Sequence, residues 1–148
     1  MRNRLTVVLI ATLLVAAIAI VSARLNDDAW HTATGEALTW AMTQHVPIGH
    51  VQKLILPPHI HPPKRYTYFD VAHLADGRYC ILLISNLGWK DNFEGRLACS
   101  GPILASEIQR PDDGRHEYIS LPGYGVFEEL YIAKARSDHE FEVYFDLN

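Results

Sequence analysis

The sequence predicts an α+β protein, with an N-terminal signal or anchor segment followed by one helix packed on an antiparallel sheet of five to seven strands. Three observations carry this prediction. An almost unbroken apolar run extends from Leu5 to Val21, apolar residues then recur at helical spacing, and from Val51 onward the apolar period changes to two. We therefore divide the chain into a segment over residues 1–23 and a single exported domain over residues 24–148.

The first segment carries positive charge ahead of its apolar run. Arg2 and Arg4 precede the run, so the amino end is expected to stay inside the cell. Val21 and Ala23 fit a signal-peptidase site, which favours a signal peptide cut after Ala23. The run is, however, longer than a usual signal-peptide core and just long enough for a membrane span. The domain is thus expected to be periplasmic or extracellular, and anchored to the inner membrane if the segment is retained.

The net charge of the chain indicates which classes of partner to expect. The chain has a formal net charge of −4 at pH 7, and loss of the two N-terminal arginines would leave the exported domain more acidic. Nucleic-acid binding rewards clustered Lys and Arg, so no nucleic-acid partner is expected. Contact with the membrane is expected only through residues 5–21, if that segment is not cleaved.

The first element of the domain is predicted to be a helix. Asn26, Asp27 and Asp28 are candidate caps at its start, and Pro47 limits its end. Gly35 weakens this helix, so a shorter helix starting at Thr34 is an alternative. The apolar residues at helical spacing are Trp30, Ala33, Ala37, Leu38, Ala41 and Met42.

After the helix, runs with a period of two predict a meander of antiparallel strands. The runs are Val51 to Leu56, Tyr66 to Leu74, Arg78 to Ser85, Gly95 to Ser100, His116 to Leu121, Val126 to Lys134 and Glu140 to Leu147. The run Ile81 to Ile84 is apolar at every position, which predicts a central strand covered on both faces. The last run alternates, so Glu140 and Glu142 are expected to face water.

Two turns predict the strand registers. Asp76-Gly77 indicates a two-residue hairpin turn, which places Val71 opposite Leu82 and, in the same register, Phe69 opposite Ile84. Folding about Trp89 and Lys90 places Leu82 opposite Leu97.

The same fold about Trp89 and Lys90 places the two cysteines opposite each other. Cys80 and Cys99 are the only cysteines of the chain, and an even count in an exported domain is typical of a disulfide. A redox-active pair would need the closer Cys-x-x-Cys spacing. We therefore predict a structural bridge between neighbouring strands.

A proline-braced His-x-His is the most distinctive motif. His59 and His61 stand two residues apart between Pro57-Pro58 and Pro62-Pro63, so both imidazoles could bind one divalent transition metal. Two ligands fall short of the four that a structural zinc site uses, and the favoured interpretation is a stiff, exposed connection. No other cofactor is predicted.

Aromatic and basic residues next to this motif form a second candidate site. Lys64, Arg65, Tyr66 and Tyr68 follow the prolines, and with Trp89 from a neighbouring turn they could make a partner-binding surface. In the alternative, Tyr66 and Tyr68 cover a sheet face under the helix.

No catalytic motif is evident, so the chain is predicted not to be an enzyme. There is no Gly-x-Ser-x-Gly elbow, no phosphate-binding glycine loop and no complete calcium loop. The function predicted by elimination is an extracytoplasmic module that binds another envelope or secreted protein, such as a periplasmic inhibitor or a toxin-immunity protein. The alternatives are a small-ligand or metal-binding module using His59 and His61, and an unrecognised hydrolase.

Overall fold

The fold is a long helix against one curled antiparallel sheet. The computed structural model describes residues 2–52, 55–63, 66–86, 92–110, 116–121 and 130–146. The helix α1 spans Arg2–Thr43, and within the described residues the sheet has eight strands. The predicted α+β class is confirmed.

Helix α1 is continuous over 42 residues, so the prediction of a separate helix starting at Asn26 to Asp28 was wrong, as was the shorter alternative from Thr34. Neither proline nor glycine occurs between Leu5 and Thr34, and nothing in that stretch interrupts the backbone hydrogen bonds. The helix ends before His45, which has a positive φ of 50°, the left-handed conformation common just past a helix C-terminus.

The two halves of α1 have different surroundings. Every side chain from residue 3 to residue 26 is exposed, whereas Trp30, Ala33, Ala37 and Ala41 are at most 2% exposed. Their spacing of three and four residues forms one face of the helix, and this face packs on the sheet.

The strands are all antiparallel to their neighbours, in the order β1-β2-β3-β4-β8-β7-β6-β5. Each of the seven predicted runs overlaps one of them, and the two-residue β5 is an additional strand. Their bounds are β1 Gly49–Gln52, β2 Tyr66–His73, β3 Tyr79–Asn86, β4 Asn92–Cys99, β5 Ile108–Gln109, β6 Tyr118–Ile119, β7 Leu130–Ala135 and β8 Glu140–Asp146.

The predicted register between β2 and β3 was wrong by one residue. Val71 lies opposite Ile81, because the turn contains three residues, Ala75 to Gly77, instead of two. The amide of Gly77 donates to the carbonyl of Leu74, and Gly77 has a φ of +92°. This is the three-residue hairpin in which a turn is closed by a left-handed glycine. Phe69 accordingly lies opposite Leu83, not Ile84.

The register predicted between β3 and β4 is confirmed. Leu82 lies opposite Leu97, and Cys80 opposite Cys99, with their Cα atoms 4.0 Å apart. The two cysteines form the predicted disulfide. The bridge thus joins neighbouring strands at their ends next to Ser100.

Strand β3 is covered on both faces, as its apolar run predicts. Ile81 and Leu83 belong to the layer under α1, while Leu82 and Ile84 belong to a second apolar layer on the opposite face. That second layer also contains the disulfide and residues from the later strands, including Ile119, Leu130, Phe141 and Val143.

Candidate functional site

Charged side chains meet where α1 passes from its exposed half to its packed half. We call this group the junction cluster, and it joins α1 to β4, to β8 and to the connection between β7 and β8. Its members are Asp27, His31, Arg96, Arg136, Glu140 and Glu142.

Arg96 of β4 is the centre of the junction cluster. Its side chain is only 6% exposed and forms ion pairs with Asp27 of α1 and with Glu142, the latter at 3.0 Å. A guanidinium nitrogen also lies 3.7 Å from Glu140. Arg136 repeats part of this pattern, since it pairs with Asp27 at 2.9 Å and with Glu142. Helix and sheet are therefore linked by two arginines that share acidic partners.

Glu140 was predicted to face water, and that prediction was wrong. The residue is 5% exposed because the polar face of β8 lies against α1 at this point. His31 Nδ1 lies 2.5 Å from Glu140 Oε2, and the hydroxyl of Thr34 lies 3.5 Å from the other carboxylate oxygen. Phe141 and Val143 on the other face are buried as expected. The alternation of polar and apolar residues along β8 correctly predicted which residues share a face, but it could not show that the helix covers the polar face.

The electrostatics favour the ionised forms of Asp27 and Arg136. Burial raises the pKa of Asp27, but the hydrogen bond from Arg96 and the positive charges of both arginines outweigh burial, so this pKa lies below its usual value. The hydrogen bond with Glu142 raises the pKa of Arg136 above its usual value. The charged groups therefore satisfy one another, and the arrangement acts to hold α1 in a fixed position on the sheet.

The His-x-His motif lies at the opposite end of the packed helix. His59 and His61 are both exposed, and His59 borders a shallow pocket of about 460 Å³ with Glu36, Thr39 and Trp40 of α1. Among the described residues, no group of three or more His, Cys, Asp or Glu side chains is placed to hold a metal ion. Metal binding by His59 and His61 remains a prediction.

Most of the predicted aromatic surface falls outside what the structure describes. Lys64, Arg65 and Trp89 lie outside the described residues. Tyr66 and Tyr68 are placed in β2 by their backbone only. The partner-binding role of these residues remains a prediction.

Sequence reasoning missed a different aromatic group, which we call the tyrosine ladder. It consists of Tyr118, Tyr131 and Tyr144, which lie opposite one another on β6, β7 and β8. The rings of Tyr131 and Tyr144 are stacked with centroids 5.3 Å apart, and that of Tyr118 lies 6.2 Å from Tyr131. His116 meets Tyr131 and Tyr144 edge-on. The sequence contains each tyrosine in a predicted strand, but only the pairing order of β6, β7 and β8 brings them together.

Comparison with known proteins gives no match to a protein-family model, to a curated protein sequence or to a solved structure. Functional inference therefore rests on the chemistry and geometry of this chain. The N-terminal apolar helix is of the kind found in signal or anchor segments, and the disulfide is compatible with an extracytoplasmic location.

Proposed function

We propose that this protein is an extracytoplasmic protein-binding module that its own N-terminal helix tethers to the membrane. The observation that carries the proposal is the continuity of α1, whose exposed apolar half leads without a break into the half that packs on the sheet. The junction cluster fixes the helix at Asp27, just after the apolar run. The module is thus held close to the bilayer in a defined orientation.

The dimensions of the apolar half support the tether. Leu5 to Val21 covers about 25 Å at 1.5 Å per residue, close to the roughly 30 Å hydrocarbon core of a bilayer. The part of α1 from Asn3 onward contains an 18-residue window with a mean hydropathy of 2.8, none of it buried in the protein. Residues Ser22 to Arg24 are helical, so cleavage after Ala23 would require the helix to open there.

The far end of α1 supports partner binding. Thr43 lies about 30 Å along the helix axis from Ala23, so this end projects away from the membrane. Met42 and Ile48 are 46% and 63% exposed there, and Ile55, beyond β1, is 87% exposed, whereas most of the other large apolar residues that are exposed belong to the first half of α1. Exposed apolar side chains that are bordered by polar residues are typical of protein interfaces. We assign this distal end, defined by Met42 and Ile48, to an envelope or secreted protein partner.

The tether is tested on the full chain with a C-terminal tag, expressed in cells and fractionated. We expect the protein in the membrane fraction after alkaline carbonate extraction, with an intact mass that includes residues 1–23. A soluble product beginning at Arg24 would overturn the tether.

The binding role is tested by photo-crosslinking from the intact cell envelope. A photoreactive residue replaces Met42 or Ile48 at the distal end, and Gln109 at the opposite sheet edge serves as the matched exposed control. We expect one protein to be crosslinked from both distal positions and not from Gln109, and Ile48→Glu to abolish the adduct from Met42. Adducts that are absent, or equal at all three positions, would refute the assignment.

A further inference from the structure

The tyrosine ladder lies on the same face of the sheet as α1. Along β8, side chains alternate between faces, and Glu140 and Glu142 point to the helix side, where they belong to the junction cluster. Tyr144 is two residues beyond Glu142 and therefore shares that face. Tyr131 and Tyr118 are its cross-strand neighbours, so the ladder runs outward from the helix across three strands.

The near end of the ladder is beside the end of the apolar run. Tyr144 borders a pocket of about 330 Å³ together with Ala23 and Asn26 of α1 and Glu94 and Arg96 of β4. Ala23 is two residues past Val21, and Asn26 is about 7.5 Å along the axis from Val21. The polar headgroup layer on each side of a bilayer is roughly 5 to 7.5 Å thick. If α1 spans the membrane, Tyr144 therefore lies at the level of the headgroups.

We propose that the tyrosine ladder is a second membrane contact, through which the sheet rests on the headgroup layer of the bilayer that α1 crosses. This inference rests on the proposed tether and specifies the surface on which the tethered domain lies. Tyrosine is suited to this layer because its ring is apolar while its hydroxyl meets water and lipid headgroups. Tyr118, Tyr131 and Tyr144 are each half-buried, so each keeps part of its surface accessible.

The charges around the ladder are compatible with lipid phosphates. Arg24 of α1 and Lys134 of β7 are exposed at this end of the molecule. The acidic Glu142 between them and the ladder is paired with Arg96 and Arg136. The negative charge of Glu142 is thus neutralised within the protein, whereas Glu94, opposite Tyr144 on β4, adds a carboxylate at the edge of the same pocket.

The test uses the full chain in nanodiscs of phosphatidylethanolamine and phosphatidylglycerol that contain a small fraction of gadolinium-chelating lipid. Paramagnetic relaxation of backbone amides then reports proximity to the headgroups. We expect the amides of Tyr131 and Tyr144 to relax several-fold faster than those of Phe69 and Val71, which lie under the far part of α1. Equal relaxation at the two sets would overturn the inference.

Two further readouts separate this inference from the tether. Strong relaxation at Arg24 reports an inserted helix. Strong relaxation at Arg24 without relaxation at Tyr131 would refute only the contact made by the ladder. Weak relaxation at both residues would refute the tether. In a Tyr131→Ser, Tyr144→Ser double variant we expect relaxation across β7 to fall several-fold while that at Arg24 is unchanged. The matched Tyr131→Phe, Tyr144→Phe variant keeps the rings and should keep most of the effect. Relaxation that survives removal of the rings would contradict a contact made by them, and unchanged β3 amide shifts confirm that the variants fold.

Discussion

Arg96 illustrates how much one residue can contribute to the position of an element. Its guanidinium is buried between α1 and β8, and the acidic residues that surround it come from distant parts of the chain. A buried ion pair gains little over apolar packing, but removing one partner leaves the others buried and uncompensated. Removing either an arginine or an acidic residue should therefore destabilise the junction cluster.

We predict that Arg96→Met lowers the free energy of unfolding by about 3 to 5 kcal/mol, because Glu140 and Asp27 would lose their buried counter-charge. The control is Arg110→Met, which removes an arginine that is 78% exposed and paired with Glu117. That loss should cost under about 1 kcal/mol. Chemical unfolding in detergent micelles measures both, and similar values for the two variants would contradict the central role of Arg96.

The lowered pKa of Asp27 predicts a dependence of stability on pH. A carboxylate whose pKa is lower in the folded state stabilises the protein above its unfolded pKa of about 3.9, and this stabilisation is lost as the pH falls through the folded value. Asp27→Asn should therefore be less stable than the wild type at pH 7, and the difference should shrink towards pH 3. Unfolding curves at several pH values measure this, and a difference that stays constant with pH would be inconsistent with ion pairing.

At the scale of elements, the sequence patterns correctly predicted the features that residues close together in the chain determine. The apolar run of β3, the alternation in β8 and the turn about Trp89 and Lys90 were sufficient for a central strand and for the pairing of Cys80 with Cys99. The β2 to β3 register was missed because Asp-Gly also fits a three-residue turn, in which Gly77 closes the loop. The length of α1 was missed because polar residues that favour caps also occur inside helices that tertiary contacts stabilise.

Alanine substitution at two glycines of these elements should change the stability of the protein in opposite directions. A Cβ at Gly95 of β4 would lie 2.9 Å from the carbonyl oxygen of Leu83, whereas a Cβ at Gly35 of α1 would meet nothing within 4 Å. Gly95→Ala should destabilise the protein by about 1 to 3 kcal/mol through overpacking. Gly35→Ala should stabilise it by about 0.5 to 1 kcal/mol, because alanine restricts the unfolded chain and favours the helix. Thermal unfolding of both variants measures the signs, and a shift in the same direction for both would contradict the packing described at Gly95.

At the scale of the molecule, the class could be predicted from the sequence, but the arrangement of the site could not. The chain leaves β4, forms β5, β6 and β7, and returns as β8 to pair with β4. No turn signal connects β4 with β8, since this pairing joins residues more than forty positions apart. The junction cluster depends on that pairing. The tyrosine ladder depends on the registers between β6, β7 and β8, which no predicted turn defined, so neither group was foreseen.

The disulfide affects the stability of the whole sheet. Cys80 and Cys99 are 19 residues apart in sequence, and closing a loop of this size is worth about 3 kcal/mol in the unfolded-chain model. A Cys80→Ala, Cys99→Ala variant should lose about that much stability, with the fold retained. Unfolding of the wild type under reducing and non-reducing conditions provides the matched comparison, and equal stability with and without the bridge would contradict this assignment.

The continuity of α1 also determines the order in which the protein can be assembled. If α1 is the tether proposed above, it enters the membrane before any strand has been made, so its packing face must wait for β3 and β4 to be exported. Three of its four fully buried apolar residues are alanines, Ala33, Ala37 and Ala41, beside Trp30, while Leu38 and Trp40 are half-buried against the same core. A helix face on which alanine holds most buried positions offers less apolar surface to a wrong neighbour than one made of larger side chains. In a tethered chain, the alanines that allow close packing in the finished protein would thus also limit aggregation during export.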